Sequence, residues 1–336
     1  MAGPDDGHTV RAWQAAAHGE PRDVLTLADV PEPQPGAGQL LVRVRATALN
    51  FPDVLLCRGT YQVRPPLPFT PGVELCGEVV GVGEGVTGIS VGDRVIGVPA
   101  LPHGSLADLA VMDAVDAFGA PPELGDAAAA ALHIAYQTGW FALHRRARLQ
   151  PGETLLVHAA AGGVGSAAIQ LGKAAEARVI GVVGGPAKAK VAVELGADAV
   201  VDRHEQDFVA AVKDLTGGRG ADVIFDPVGG DAYAGSTRCI AFEGRIVVVG
   251  FAGGTIPEPA LSHVLIKNYS TLGLHWGLYK RYELDAIRAA HDQLSGLVAA
   301  GTIAPLIGDR LPLDAAVDGL TRLAAGDSVG RLVVLP

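Results

Sequence analysis

The stretch from residue 154 to residue 175 constrains this chain more than any other. A short run, Thr154-Leu155-Leu156-Val157-His158, gives way without a spacer to Ala159-Ala160-Ala161-Gly162-Gly163-Val164-Gly165 and then to an apolar run through Ala175. The first run has the length of a buried strand and the last that of a helix. A strand, a turn of small residues and a helix in direct succession open a βαβ unit, whose connection rules lead to a parallel sheet covered by helices.

The text that follows repeats the alternation. Residues 178–183 read as a second strand, and Pro186 suits the first turn of a helix that ends near Leu195-Gly196. Residues 199–201, 222–225 and 245–249 read as further strands, with a helix over 205–215. Residues 284–300 form a long amphipathic pattern, and residues 331–335 a closing strand that returns to the first part of the chain. Before Pro121-Pro122 the character differs. Residues 40–46 alternate apolar and basic, and 78–82, 94–98 and 106–111 read as short strands punctuated by glycine turns and proline-rich loops. The sequence therefore predicts a β-rich domain followed by an α/β domain.

At 336 residues, 49% hydrophobic and 18% charged, the chain can bury two cores. Its net charge of -10 argues against nucleic acid, which selects clustered Lys and Arg. Three widely spaced cysteines (Cys57, Cys76, Cys239) give neither a disulfide framework nor a four-cysteine zinc site, and suit a reducing cytoplasm. Residues 1–10 carry two Asp and no basic apolar segment, so no secretory leader is expected. The longest uncharged stretch, 127–143, is Ala-rich and interrupted by His133, Tyr136, Gln137 and Thr138, which fits a packed helix rather than a membrane span.

The turn after residue 158 has the form of a dinucleotide fingerprint. Its three small positions are Ala160, Gly162 and Gly165, and they serve the strand-to-helix turn, the approach of a pyrophosphate to backbone N–H groups, and close helix packing. A helix beginning near Ser166 would aim its dipole at that pyrophosphate. Gly163 and Val164 complete the turn. An NAD-type site places Asp or Glu about 20 residues further on, at the end of the second strand. Here that point is Val183-Gly184, and residues 177–193 contain no acid but offer Arg178, Lys188 and Lys190. The expected cofactor is NADPH, with Lys188 the first candidate for its 2′-phosphate and Arg203 the second.

With these residues in place, the chain resembles the zinc-free quinone oxidoreductases, the zeta-crystallin-like branch of the medium-chain dehydrogenase/reductase superfamily. The resemblance rests on residues 157–165, on Asn50-Phe51-Pro52-Asp53 with Gly59-Thr60-Tyr61, on residues 68–74 with Gly92-Asp93-Arg94-Val95, and on Asp226-Pro227-Val228-Gly229-Gly230. It implies a Rossmann domain, residues 129–270, inserted in a GroES-like catalytic domain formed by residues 1–128 and 271–336, with the active site in the cleft between them. It also implies a homo-oligomer, dimer or tetramer, by analogy with the family. Zinc-dependent relatives hold a metal where this chain has Asn50 and Val73, neither a suitable zinc ligand, so no metal is expected and Glu74 is read as structural.

Without a Lewis acid, the remaining chemistry is hydride transfer to an electron-poor acceptor, a quinone or similar conjugated carbonyl, whose developing oxyanion needs a hydrogen-bond donor. The resemblance implies Tyr61 and Asn50 as that machinery, and Thr138, Gly184, Val228, Gly250 and Phe251 as further cofactor positions. His158 reads as a structural histidine at a strand end, while His133 is open between base and packing residue. His275-Trp276 reads as a core pair rather than a cleft lining. Two other functions fit the same residues: a 2-enoyl-thioester or enone reductase, and a catalytically silent NADPH-binding protein.

Overall fold

The computed structural model describes residues 8–336, so most of the N-terminal segment read for a leader lies outside the described residues. The chain divides into two compact units. One comprises residues up to Ile134 together with Pro305–Pro336, and the other is Ala135–Ala304.

The strands of the first unit begin with β1 (Thr9–Ala15), β2 (Leu25–Pro31), β3 (Gln39–Ala48), β4 (Leu75–Val82), β5 (Arg94–Gly97), β6 (Leu109–Asp113) and β7 (Ala117–Gly119). The second unit holds β8 (Thr154–Val157), β9 (Arg178–Val183), β10 (Ala199–Asp202), β11 (Ala221–Asp226), β12 (Ile240–Val248) and β13 (Ser270–Gly273). The chain then returns to the first unit with β14 (Ile307–Pro312) and β15 (Arg331–Leu335).

In the first unit, β1 pairs antiparallel with β2, and a larger sheet runs β14-β15-β3-β4-β5-β7 with β6 also on β3. The C-terminal strand enters the interior of that sheet: Val333 and Val334 lie opposite Ala48 and Thr47 of β3. One face of the sheet closes over Leu40, Val42, Leu75, Val79, Val95 and Met112, and a second core gathers Leu49, Val54, Leu56, Phe69, Leu106, Leu313, Leu320 and Val334. Helix α1 (Phe51–Arg58) follows β3 directly, with Pro in its first turn and Gly59 closing it at φ 66°.

The second unit is the expected parallel sheet, in the order β10-β9-β8-β11-β12-β13. Numbered within the unit this is 3-2-1-4-5-6, the dinucleotide-binding order, whose direction reverses beside β8. Leu156, Ile180, Val201, Ile224 and Ile246 bury its interior. Helix α2 (His133–Trp140) leads toward the sheet, and α3 (Gly163–Ala174), α4 (Pro186–Glu194), α5 (Gly230–Cys239) and α6 (Leu284–Ala299) follow.

Several sequence expectations shift. The helix expected near Ser166 begins at Gly163, because Gly162 already stands extended at its N-cap. The helix expected from 205 begins at Phe208, where the Asp207 carboxylate accepts from Val209 N at 2.9 Å. The strand expected over 106–111 lies at Leu109–Asp113, since the Leu106 carbonyl is taken by Trp13 N (2.9 Å) of β1. The second compact unit extends to Ala304: β13 hydrogen-bonds alongside Arg245–Val248, and the Ile287 carbonyl of α6 accepts from Gln137 Nε2 at 2.9 Å.

Candidate active site

In the second unit, the predicted cofactor residues gather along the carboxyl edge of the parallel sheet, where ligands bind in open α/β folds. The turn after β8 is forced by close approach. Ala159 takes φ 49°, Gly162 N donates to its carbonyl at 2.8 Å, and a Cβ at Gly165 would lie 2.2 Å from the same oxygen. Only glycine fits at residue 165. Ala160 suffices at the first small position because Gly181 faces it across β9, where a Cβ would meet the Ala160 methyl at 3.0 Å. The first N–H groups of α3, on Gly163, Val164 and Gly165, open the helix without intrahelical acceptors, which is the donor set an anion needs.

The turns after β11 and β12 meet beside it. Asp226 Oδ1 accepts from Val228 N and Gly229 N, both at 2.9 Å, and Gly253 N donates to the Val228 carbonyl at 3.0 Å. Phe251 is partly exposed and packs against Gly229, where a Cβ would come within 3.0 Å of its ring, and Gly250 lies over the Pro227 carbonyl. Thr138 is buried on α2, whose next residue Gly139 packs against Leu171 of α3. Of the predicted core pair, Trp276 is buried and His275 is exposed.

His158 is fully engaged in structure. Its Nε2 meets Ser236 Oγ at 2.8 Å, and that hydroxyl spends its proton on the Ala232 carbonyl at 2.7 Å, so the imidazole donates. Burial pulls its pKa down to about 4, against the opposing pull of Asp226. A neutral, buried donor is not a base.

At the end of β9, the position where an NAD-type acid would stand, a Cβ on Gly184 would lie 3.0 Å from His204 Nε2 and 3.2 Å from Arg203 Nε. Two basic side chains thus fold over this glycine. The nearby carboxylate, Asp202, turns to backbone: its Oδ1 accepts from Gly185 N (2.9 Å) and His204 N (3.0 Å). Lys188 stands half-buried in the first turn of α4.

In the first unit, the structure assembles a buried polar cluster that the sequence reading only partly foresaw. Glu74 is completely buried, and its Oε1 accepts from Ile134 N at 2.6 Å. Its Oε2 accepts from Asn50 Nδ2 at 2.9 Å and pairs with Arg331 Nη2. Arg331 Nη1 donates to Asn50 Oδ1 at 2.9 Å, and the second Asn50 N–H goes to the Ala48 carbonyl at 3.0 Å. Both amide hydrogens of Asn50 are therefore used internally. Asn50, which the resemblance places in the donor machinery, is thus hydrogen-bonded to Ala48, Glu74 and Arg331. Arg331 escaped the sequence reading, although a lone arginine opening the apolar run Leu332-Val333-Val334-Leu335 was a signal.

Asp53 extends the cluster. Its Oδ2 accepts from Asn50 N at 2.8 Å, and its Oδ1 from Gly72 N and Val73 N at 2.9 and 3.1 Å. Burial raises its pKa to about 6 against those three N–H groups, and burial likewise pushes Glu74 upward against the pull of Arg331. Tyr61, partly buried on the same core, is raised by burial and then by Asp53, so its phenol keeps its proton at neutral pH. Among the described residues, no three His, Cys, Asp or Glu side chains are grouped to hold a metal ion. The three cysteines are buried thiols.

The two units and their sites define a medium-chain type of oxidoreductase, and the family comparisons agree. An alcohol dehydrogenase GroES-like domain matches residues 36–122, and a zinc-binding dehydrogenase domain matches 163–292. Mouse quinone oxidoreductase-like protein 2 is 37% identical over 325 residues, covering 96% of this chain and 92% of its own. The Escherichia coli quinone oxidoreductase complexed with NADPH shares 30% identity at a TM-score of 0.90, covering 97% of this chain and 100% of its own. Mycobacterial Rv1454c complexed with NADPH shares 31% identity, also at 0.90, with the same coverage. The chain belongs to the quinone oxidoreductase-like family of the medium-chain dehydrogenase/reductases.

Two outcomes follow from this geometry. Replacing Arg331 by Met strands the Glu74 carboxylate in the interior and is expected to cost about 3–5 kcal/mol in urea unfolding, most of it recovered in the double variant with Glu74→Leu. For His158 the folded pKa lies below the unfolded one, so the unfolded chain binds the extra proton between pH 6.5 and about 4. Stability is present above that window and falls as pH drops through it, by about 3 kcal/mol, a component that His158→Gln should lack in pH-dependent melts.

Proposed function

We propose that the protein is an NADPH-dependent, metal-independent reductase of a small quinone or similar conjugated carbonyl. The observation that carries the cofactor assignment is the pairing of a tight turn at residues 159–165, where only glycine fits at residue 165, with a second-strand end at Gly184 that lacks an acid and is covered by Arg203 and His204. The NADPH-bound relatives support it. NADPH supplies a hydride when bound. The protein's part is to hold the dinucleotide along Ala160, Gly162, Gly163, Val164 and Gly165, to flank it with Thr138, Val228, Gly250 and Phe251, and to take the 2′-phosphate between Arg203 and Lys188.

Tyr61 is the donor we assign to the acceptor. Its protonated phenol meets the oxygen on which negative charge develops, and Asn50, Asp53, Glu74 and Arg331 fix the segment that carries it. Metal independence is supported by Asn50 being committed to Glu74 and Arg331, and by an apolar Val73. A second reading, reduction of a 2-enoyl thioester, is supported by similarity to part of a Mycobacterium tuberculosis (strain H37Rv) phthioceranic/hydroxyphthioceranic acid synthase. That likeness is 34% over 301 residues, covering 89% of this chain and 14% of the synthase.

A homo-oligomer is part of the same reading. The sheet edge at β13 carries no further strand among the described residues, and Phe242, Leu261, Leu265 and Ile266 are each at least 70% exposed in that unit. Exposed apolar side chains and an open sheet edge in the same unit favour a second copy of this chain. Among the described residues, no helix is long and apolar enough to cross a membrane.

A steady-state screen of NADPH and NADH against quinones, enones and crotonyl-CoA tests the reaction. NADPH with a quinone is expected to turn over, and Tyr61→Phe to lower kcat by about 100- to 1000-fold, in line with the loss of one proton or hydrogen-bond donor. Turnover of crotonyl-CoA alone would transfer the assignment to the second reading, and a strong NADH preference would remove the cofactor assignment. Light scattering should return a multiple of the monomer mass that Leu265→Glu reduces.

A further inference from the structure

We infer that His204 makes the choice of dinucleotide pH-dependent, strengthening preference for the 2′-phosphorylated form as the imidazole gains its proton. The inference rests on the NADPH reading above and deepens it. It starts from the crowding at Gly184. A methyl group there would sit 3.0 Å from His204 Nε2, 3.1 Å from its Cε1 and 3.2 Å from Arg203 Nε. The imidazole is therefore laid across the backbone at the end of the second strand, beside a guanidinium, at the point where a ribose 2′ substituent is read in this sheet order. An arginine keeps its charge at all working pH values, whereas an imidazole ordinarily changes its charge between pH 5 and 8.

The charged surroundings favour an anion here. Arg203 and His204 come from the turn after β10, and Lys188 from the first turn of α4. The acids on the same turn are Asp202 and Glu205. Asp202 holds Gly185 N and His204 N, contacts that pull its pKa down and fix it as a carboxylate facing backbone. It thereby clamps the second-strand turn to the third and presents His204. Glu205 is exposed at the next position. The facing turn at Gly184 and Gly185 brings no titratable group. A dianionic phosphate placed against Arg203 and a protonated His204 gains a second charge-assisted hydrogen bond that the neutral imidazole provides less strongly.

The test measures the dissociation constants of NADPH and NADH by fluorescence titration at pH 6.5 and 8.5, for the whole protein and for His204→Gln. NADH differs only in the 2′-phosphate, so the ratio of the two constants isolates that group. Titration of the phosphate itself is common to both proteins and cancels when their ratios are compared. The exposed pair is screened, so the expected gain in NADPH preference on going from pH 8.5 to 6.5 is about fivefold in the wild type beyond that in His204→Gln. A preference for NADPH whose pH dependence is the same in both proteins overturns the role of His204 while leaving the cofactor reading intact. Equal affinity for the two dinucleotides at both pH values overturns the cofactor reading itself. Gly184→Asp serves as a second probe, since its carboxylate would engage His204 and Arg203 directly. It is expected to abolish the pH-dependent preference, and retention of that preference would also overturn the inference.

Discussion

The first unit is tied together by one buried ion pair. Arg331 opens the last strand and Glu74 immediately precedes β4, 257 positions apart in the chain, yet the two meet with 5% and 0% of their side chains exposed. An isolated charge at either place would cost several kcal/mol to bury. The pair is tolerable because nearly every remaining polar atom is answered: Asn50 bridges the two, Ile134 N and the Ala48 carbonyl complete the ring, and only Arg331 Nε lacks a partner. The segments that meet here, the end of β3, the start of α1, the Gly72-Val73 loop and β15, each depend on the others for a hydrogen-bond partner. Tyr61 stands just beyond α1, so its position inherits that dependence.

The second unit solves its problem differently, with absence of side chain rather than with charge. The Ala159 carbonyl takes the space a side chain at residue 165 would need, and the Ala160 methyl takes the space a Cβ at residue 181 would need. Strand, turn and helix approach so closely that backbone N–H groups face outward at the opening of α3. Behind this turn His158 is held neutral by burial and bonded to Ser236 of α5, which fastens the first strand end to the crossover helix after the fourth. A charged group could not do this work there, because it would have to be desolvated without a counter-charge at hydrogen-bond distance.

The contrast explains what the sequence disclosed. Local events were legible: the glycine turn, the strand alternation, the proline-opened helix at 186, and the lack of an acid near Gly184 are all read over a few residues. That the sheet is parallel followed from alternation and the rules for crossovers, whereas its strand order came only from the structure. What escaped is non-local. Nothing near Arg331 indicates that its partner is Glu74, and nothing near Asn50 indicates that both its N–H groups are spent inside the protein. His204 was passed over because a histidine in a polar turn reads as solvated until a backbone glycine is found beneath it. The place of β13 in the second unit also depends on long-range pairing, since it is a four-residue, largely exposed strand hydrogen-bonded to β12.

Asn50 shows how such a non-local contact changes a chemical reading. At the sequence level an Asn standing where relatives carry a metal ligand suggests a polar group free to bind something. In the structure its amide is the neutral spacer between a carboxylate and a guanidinium, donating to one and accepting from the other. A cysteine could not fill both roles, because its thiol is only a weak donor and a weak acceptor on a single atom. The same amide therefore completes an internal ion-pair bridge. In our reading of the reaction, this leaves the phenol of Tyr61, raised above its ordinary pKa by burial and by Asp53, as the proton-bearing group of that unit best placed to answer charge on an acceptor.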